Sequence, residues 1–254
     1  MSTHPLGSRA ETLLRLHQDP ALLTLVNVWD VASARVVAGT PGTTALATAS
    51  HAVAATFGYD DGEVISRDLM LDMCGRIAAA TDLPVTADLE AGYVNPGETV
   101  RRAIGLGIVG ANIEDEMVPL PQAVARMSEV MAAAHAEGLP SFVLNARTDA
   151  FLRAGDRPPG EVLADAVERG VAYLDAGAPC VFVPGAVDEE DIAELVGAFG
   201  ARRLTLLGLP GLPSRDRLEE LGVARVSYGP MPQRVALTAL QRMVEDLVAG
   251  TGHP

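Results

Sequence analysis

The chain contains no lysine: all 19 of its basic residues are arginine, set against 33 aspartates and glutamates. This removes Schiff-base aldolase chemistry, pyridoxal phosphate attachment and the lysine of a phosphate loop, because each needs a lysine amine. Genomic codon bias is the simpler cause of the absence, and the chemical exclusions hold either way. The formal net charge is -14, a field that repels a phosphate backbone and argues against nucleic acid as a partner. Cysteine is scarce too. Cys74 and Cys180 cannot build a disulfide framework and suit a reducing compartment, and both read as small buried hydrophobes. No apolar run approaches the roughly 18 residues that span a bilayer, so no membrane partner is expected. Met1-Ser2-Thr3-His4-Pro5 lacks the basic stretch and apolar core of a secretory leader, which makes the cytoplasm the default location.

What is present is ordinary for a globular protein: 254 residues, 48% hydrophobic and 20% charged, enough to bury a sizeable core. Short β-rich runs fall at Leu22–Asn27, Thr43–Ser50, Pro84–Glu90, Ala111–Asp115, Ser141–Arg147, Cys180–Pro184, Arg203–Leu207 and Ala224–Tyr228, eight in all. Runs such as Phe142-Val143-Leu144 are apolar on both faces, as in parallel strands covered on each side. Amphipathic stretches lie between them: Arg67–Thr81 after Ser66, Pro96–Leu106 after Asn95, Gln122–Ala136 before Gly138, and Gly160–Ala176 before Gly177. Those flanking residues are good helix caps. Asp188–Ala198, Ser214–Leu221 and Pro232–Ala249 complete the helical set, the last with Leu237, Leu240, Met243, Val244, Leu247 and Val248 on one stripe.

Strands alternating with helices predict an α/β fold, a (β/α)8 TIM barrel. An open doubly wound sheet would announce itself with a glycine fingerprint after the first strand, where this chain has Asn27-Val28-Trp29-Asp30. Without a linker or repeat, one domain is expected over residues 1–254, with the barrel at about 22–230 and a C-terminal helix at 232–249.

The polar residues gather at the predicted strand ends, where a barrel places its active site. The third strand ends in Asp88-Leu89-Glu90, whose two acids point the same way. The fourth ends in Asn112-Ile113-Glu114-Asp115, the fifth in Asn145-Ala146-Arg147-Thr148-Asp149, and the second in Ser50-His51. Crowded carboxylates repel one another and need compensation. One solution is Mg2+, which takes oxygen ligands and keeps several waters: Asp88 would bind it directly, Glu90 and Glu114 through water. Zinc is disfavoured, since no histidine accompanies the acids. The other is a structural network in which the acids pair with Arg147 and other arginines. Arg147 also suits a substrate carboxylate or phosphonate, held in a fork. Metal and arginine together would favour a small anionic substrate such as a 2-oxo acid.

Asn27-Val28-Trp29-Asp30-Val31-Ala32-Ser33-Ala34-Arg35 resembles the opening motif of the isocitrate lyase/phosphoenolpyruvate mutase superfamily. Gly58–Glu63, Ala87–Tyr93, Asn112–Asp115, Asn145–Asp149 and Phe182–Gly185 are similar to its later blocks, in the same order over roughly residues 22–230. The resemblance implies a (β/α)8 barrel binding Mg2+, with Mn2+ as a substitute, and a 2-oxo or 2-hydroxy acid. It implies a homo-oligomer, commonly a tetramer, with the last helix exchanged between subunits. Carried onto matching positions, it makes Asp88 the direct metal ligand, with Glu90 and Glu114 acting through water. Ser50 and the backbone amides of His51 and Ala52 would hold substrate oxygens, and Arg147 would bind its anionic end. Asp61 belongs to a loop that closes over the site in relatives. Asp61, Glu114 and Arg147 are thus the catalytic candidates, and Trp29 and Tyr93 would wall the pocket or simply pack.

The chain departs from the family in three places. Isocitrate and methylisocitrate lyases carry a lysine-lysine-cysteine-glycine-histidine segment after the fourth strand; Glu116-Met117-Val118-Pro119-Leu120-Pro121 has none of it, so a true isocitrate lyase is not expected. The lid lysine of phosphoenolpyruvate mutase is missing as well. Val94 and His51 stand where glycines are usual, and His51 is either a substrate contact or a tolerated variation. Chemistry needing little proton relay follows: C–C cleavage of an oxaloacetate- or substituted-malate-like acid through an enolate. C–P chemistry on a phosphonopyruvate-like substrate and metabolite binding without turnover are the alternatives.

Overall fold

The computed structural model describes residues 5–251; Met1–His4, on which the leader reading rests, lie outside the described residues. Nine strands run parallel in one sheet, ordered β1-β9-β8-β7-β6-β5-β4-β3-β2. They are β1 (Leu23–Leu25), β2 (Asn27–Val28), β3 (Leu46–Thr48), β4 (Val85–Asp88), β5 (Gly110–Glu114), β6 (Val143–Arg147), β7 (Cys180–Phe182), β8 (Leu204–Leu207) and β9 (Arg225–Ser227). The first predicted strand is therefore two: β1 pairs with β9 and β2 with β3. A single chain segment, interrupted at Val26, thus joins both edges of the sheet and closes it into a TIM barrel of eight staves. The interruption is the seam where one strand changes partner, which period-2 patterning does not report.

Helices return the chain after each stave: α2 (Val31–Ala38), α3 (Ser50–Thr56), α4 (Arg67–Ala79), α5 (Pro96–Gly105), α6 (Leu120–Ala136), α7 (Pro159–Asp175), α8 (Glu189–Phe199), α9 (Arg215–Leu221) and α10 (Met231–Val248). Side-chain caps explain the starts of α2, α4, α5, α8 and α9. Asp30 and Ser33 form a reciprocal capping box on α2, and Ser66, Asn95, Asp188 and Ser214 each accept a first-turn N–H. Ser50, read as the end of a strand, instead opens α3.

A further helix, α1 (Pro5–Gln18), precedes the barrel. Its Leu13 is fully buried against the start of β5. A Cβ on Gly110 would sit 2.9 Å from Leu13 Cδ2 and 2.8 Å from the Val143 carbonyl, so only glycine admits this approach. The apolar core falls in two clusters on the sheet, one around β3–β6 and one around β7–β9 with α8 and α9. Cys74 and Cys180 are wholly buried in it, as expected, and burial pushes each thiol up to about 12.

α10 behaves differently. Leu237, Leu240, Met243, Val244, Leu247 and Val248 all remain exposed, Val248 by 83%. The predicted stripe exists but does not pack on its own barrel; Gln233, donating to the Ala52 carbonyl at 2.9 Å, is the helix's buried foothold. Among the described residues no helix is long and apolar enough to cross a membrane.

Candidate active site

Asp88, Glu114 and Arg147 are the last residues of β4, β5 and β6. Parallel register sets Asp88 beside Asn112, Asn112 beside Asn145, and Glu114 beside Arg147. These strand ends open into a cavity of about 180 Å3 lined by Asn27, Ala49, Ser50, His51, Asp61, Asp88, Asn112 and Arg147 on one side, and by residues that include Leu152, Phe182, Leu207 and Ser227 on the other. That is small for a ligand pocket, and it suits an acid of a few carbons rather than a nucleotide.

Asp88 is held from one side only. Its Oδ2 accepts from the Ser50 backbone N–H at 3.0 Å and from Ser50 Oγ at 2.8 Å. Its Oδ1 is buried with no partner among the described residues. A buried carboxylate oxygen with free lone pairs is costly unless something fills it. One such oxygen, with other acids set back, is the donor set of a cation that takes one protein carboxylate and keeps water for the rest. The residues present therefore fit Mg2+ or Mn2+, although no three acidic, histidine or cysteine side chains among those described converge as a ready-made metal cage.

Glu90 and Glu114 are engaged elsewhere. Glu90 accepts from the Glu63 backbone N–H, and Glu63 in turn accepts from the Tyr93 N–H at 2.6 Å. Burial pushes Glu90 up to about 7, with Asp88 and Asp61 adding repulsion against the relief of that hydrogen bond. Glu63, Glu90 and Tyr93 all take positive φ, a backbone state that costs non-glycine residues energy and clusters at functional sites. Glu114 Oε2 lies 2.7 Å from Arg147 Nη1. Burial still raises Glu114, to about 8, because Asp149, Asp88 and Glu90 oppose the pull of Arg147. On Arg147 the sum runs the other way: burial disfavours the charge, but Glu114, Asp149 and Asp88 outweigh it and raise the pKa.

Both sequence readings of Arg147 therefore meet in one side chain. Its Nη1 and Nε are taken by Glu114 and Asp149, at 2.7 and 2.8 Å. The two acids fix the plane of the guanidinium, which still lines the cavity and whose Nη2 has no partner among the described residues.

Asp61 comes to the mouth from the Gly58–Gly62 loop, near His51 Nδ1 at 3.6 Å and accepting from Ser50 Oγ at 3.4 Å. Of the expected substrate contacts, Ser50 and His51 line the cavity and Trp29, Ala52 and Tyr93 do not. Ala52 is buried one residue further along α3, Trp29 and Tyr93 pack half-buried against the core, and the Tyr93 hydroxyl is enclosed without a partner among the described residues.

Asp115, at the end of the fourth block, is structural. It is fully buried and accepts from Tyr173 Oη at 2.6 Å, Arg169 Nη1 at 3.2 Å and the Met117 and Asp149 N–H groups. Sequence reasoning passed over Asn27, Ser227 and Arg225. The first two line the cavity and the third lies beneath it. Their inward direction depends on register around the closed sheet, though alternation within Arg225-Val226-Ser227 was a usable signal.

Against known families, residues 13–248 match the model described as phosphoenolpyruvate phosphomutase. The chain belongs to that family. A "Probable 2-methylisocitrate lyase 1" of Corynebacterium glutamicum is 30% identical, over 74% of this chain and 69% of its own. The solved structure of 2,3-dimethylmalate lyase, itself titled a member of the PEP mutase/isocitrate lyase superfamily, superposes with a TM-score of 0.83 at 25% identity, covering 95% of this chain and 88% of that one. Oxaloacetate acetylhydrolase, solved with its inhibitor 3,3-difluorooxalacetate, gives a TM-score of 0.86 over 98% of this chain and 89% of that one; at 24% identity this likeness bears on the fold alone. The superfamily read from the motifs is thus the right one.

Proposed function

We propose that this family member is a Mg2+-dependent lyase that breaks a C–C bond of a small 2-oxo or 2-hydroxy dicarboxylic acid of the oxaloacetate or substituted-malate kind. The observation that carries the reading is the one-sided environment of Asp88: Oδ2 fixed by Ser50, Oδ1 free and buried, at the floor of a cavity reached by Arg147. Asp88 would hold the ion directly, with Glu90 and Glu114 behind it through water. When bound, the ion would supply positive charge where enolate charge develops beside the scissile bond.

The chain's own groups do the rest. Arg147, braced by Glu114 and Asp149, would orient the substrate's anionic end through its free Nη2. Ser50, whose hydroxyl is fixed on Asp88, and the first-turn N–H group of His51 would face substrate oxygens. Asp61 and His51, paired at the mouth, would exclude water when the loop settles. Both cysteines are buried away from the cavity, which supports a cleavage that needs no thiol acid.

The test is a panel of oxaloacetate, 2-methylisocitrate, 2,3-dimethylmalate and phosphonopyruvate with Mg2+, products read by mass spectrometry. A C–C cleavage product that disappears with chelator and in Asp88→Ala supports the reading. Full activity in either control sinks it. Loss of the C–P bond of phosphonopyruvate would instead favour the second reading, which the description of the matching family model keeps in view.

We infer further that a second copy of the chain covers the apolar stripe of α10, giving a homo-oligomer, in keeping with the expected tetramer. Light scattering after size exclusion should show a multiple of the 26.5 kDa chain, and Leu240→Asp/Leu247→Asp should reduce it. A wild-type monomer contradicts the inference.

A further inference from the structure

Beneath the cavity floor lies a charge that the proposed reaction does not use. Arg225, the first residue of β9, is completely buried. Among the described residues its side-chain partners are Asn112 Oδ1 at 3.5 Å and Ser227 Oγ at 3.4 Å, both on residues that line the cavity. Its Nε and Nη1 have no partner among the described residues. Burial lowers its pKa to about 10, which leaves it charged at neutral pH.

A guanidinium has five N–H donors and no acceptor. The atom of Asn112 that faces it must therefore be the carbonyl oxygen. The neighbouring amide agrees: Asn145 Nδ2 donates to the same Asn112 Oδ1 at 2.8 Å, and Asn145 Oδ1 accepts from Thr205 Oγ1 at 2.7 Å and Cys180 Sγ at 3.3 Å. A carboxamide presents N–H2 and C=O in nearly the same shape. If both amides turned over together, their mutual hydrogen bond would survive with its direction reversed. Thr205 could still satisfy Asn145, since a hydroxyl both donates and accepts. Arg225 alone is incompatible with the reversed pair, because it would then face the Asn112 N–H2.

The consequence reaches the cavity. With Oδ1 turned to Arg225 and Asn145, the Asn112 N–H2 is the part left for the cavity side. In the reversed pair a carbonyl oxygen would stand there and repel an anion. We propose that Arg225 is a positioning residue that locks the Asn112 carboxamide with its N–H2 toward the cavity, so that the floor donates a hydrogen bond to an anionic oxygen of the substrate. This rests on the reading above that the cavity takes a small anionic acid, and it makes the floor a third anion contact beside Arg147 and the Ser50 turn.

The experiment is calorimetric titration of the Mg2+-supplemented protein with 3,3-difluorooxaloacetate, a dianionic 2-oxo acid. Wild type is compared with Arg225→Met, Arg225→Lys, Asn112→Asp and the Asn112→Asp/Arg225→Met double variant. Losing a hydrogen bond to a charged group weakens binding by about ten- to a hundredfold, and Arg225→Met should fall in that range. Arg225→Lys, still a donor without an acceptor while protonated, should recover most of the affinity. Asn112→Asp should lose at least as much as Arg225→Met, and the double variant should bind no worse than Asn112→Asp, because Arg225 acts through Asn112. Arg225→Gln, able to accept as well as donate, should show an intermediate loss and serves if Arg225→Met does not fold. Binding by Arg225→Met within about twofold of wild type overturns the inference, as do losses that multiply in the double variant or a wild type that binds no difluorooxaloacetate. Wild-type binding with the expected variant pattern, but no turnover of any acid in the panel, sinks the lyase reading and leaves the positioning role standing.

Discussion

At the mouth of the barrel Arg147 sits between Glu114 and Asp149, at 2.7 and 2.8 Å. Deeper inside, Arg225 meets the Asn112 amide and the Ser227 hydroxyl with no carboxylate in hydrogen-bond reach among the described residues, and its charge bears on His17, a buried histidine of α1. At the mouth, charges are paired and the surplus lies with the acids. In the interior, one cation is unpaired and a nearby titratable group is kept neutral. The mouth thus holds an excess of acid, whereas in the interior Arg225 stays charged and His17 neutral at pH 7.

Breaking the pairing at the mouth should have the largest effect. Arg147→Met leaves Glu114 and Asp149 buried without their shared cation, and a broken buried pair costs about 3–5 kcal/mol. Urea denaturation at pH 7 should show a loss toward the lower figure, because burial already pushes Glu114 up to about 8 and little of its charge is left to strand. Activity on any accepted acid should vanish as well.

Asp88→Ala separates function from stability at the same end. It removes the free Oδ1 and one source of the repulsion that raises Glu90 and Glu114. A loss of about a thousandfold in kcat/KM is expected, equivalent to about 4 kcal/mol. Urea stability should be unchanged or higher by about 1 kcal/mol. A protein that keeps its activity, or unfolds on this substitution, does not have the mouth described here.

The interior answers with a smaller, pH-dependent effect. His17 is lowered from 6.5 to about 3, by burial first and then by the charge of Arg225. Between those values the unfolded chain binds a proton that the folded chain refuses, so stability must fall as pH drops from 6.5 toward 3. The slope from this one group is at most about 1.4 kcal/mol per pH unit. His17→Gln should flatten the acid limb of a stability-against-pH curve by that much and leave turnover at pH 7.5 unchanged. Equal slopes in the two proteins would mean that His17 titrates freely, and the contrast between the two ends would fail.

The barrel was legible because its signals are local. The apolar strand runs, the caps at Ser66, Asn95, Asp188 and Ser214, and the glycines after helices each act within a few residues. So was the site's acidic rim, since Asp88, Glu114 and Arg147 end strands in any parallel barrel. What local patterns hid is informative. Ser50 looked like the end of a strand because Thr43–Ser50 is apolar and β-branched, yet Asp88 takes its N–H and hydroxyl and the chain turns into α3 at that point. Trp29 and Tyr93 could by sequence wall the pocket or simply pack, and both lie half-buried against the core.

The sequence by itself determined the composition-level exclusions, the alternation of strand and helix, the family and the chemical character of the rim, because each depends on residue identity and short spacing. Tertiary structure alone decided that the first strand changes partner at Val26, that Glu114 and Asp149 brace Arg147, and that α10 leaves its apolar stripe uncovered. It also decided that Arg225, 113 residues from Asn112 along the chain, meets it under the cavity floor. The physical reason is closure: bending the sheet into a ring fixes which side chains share an interior too narrow for water to screen them, and no short-range pattern encodes who the neighbour across the ring will be.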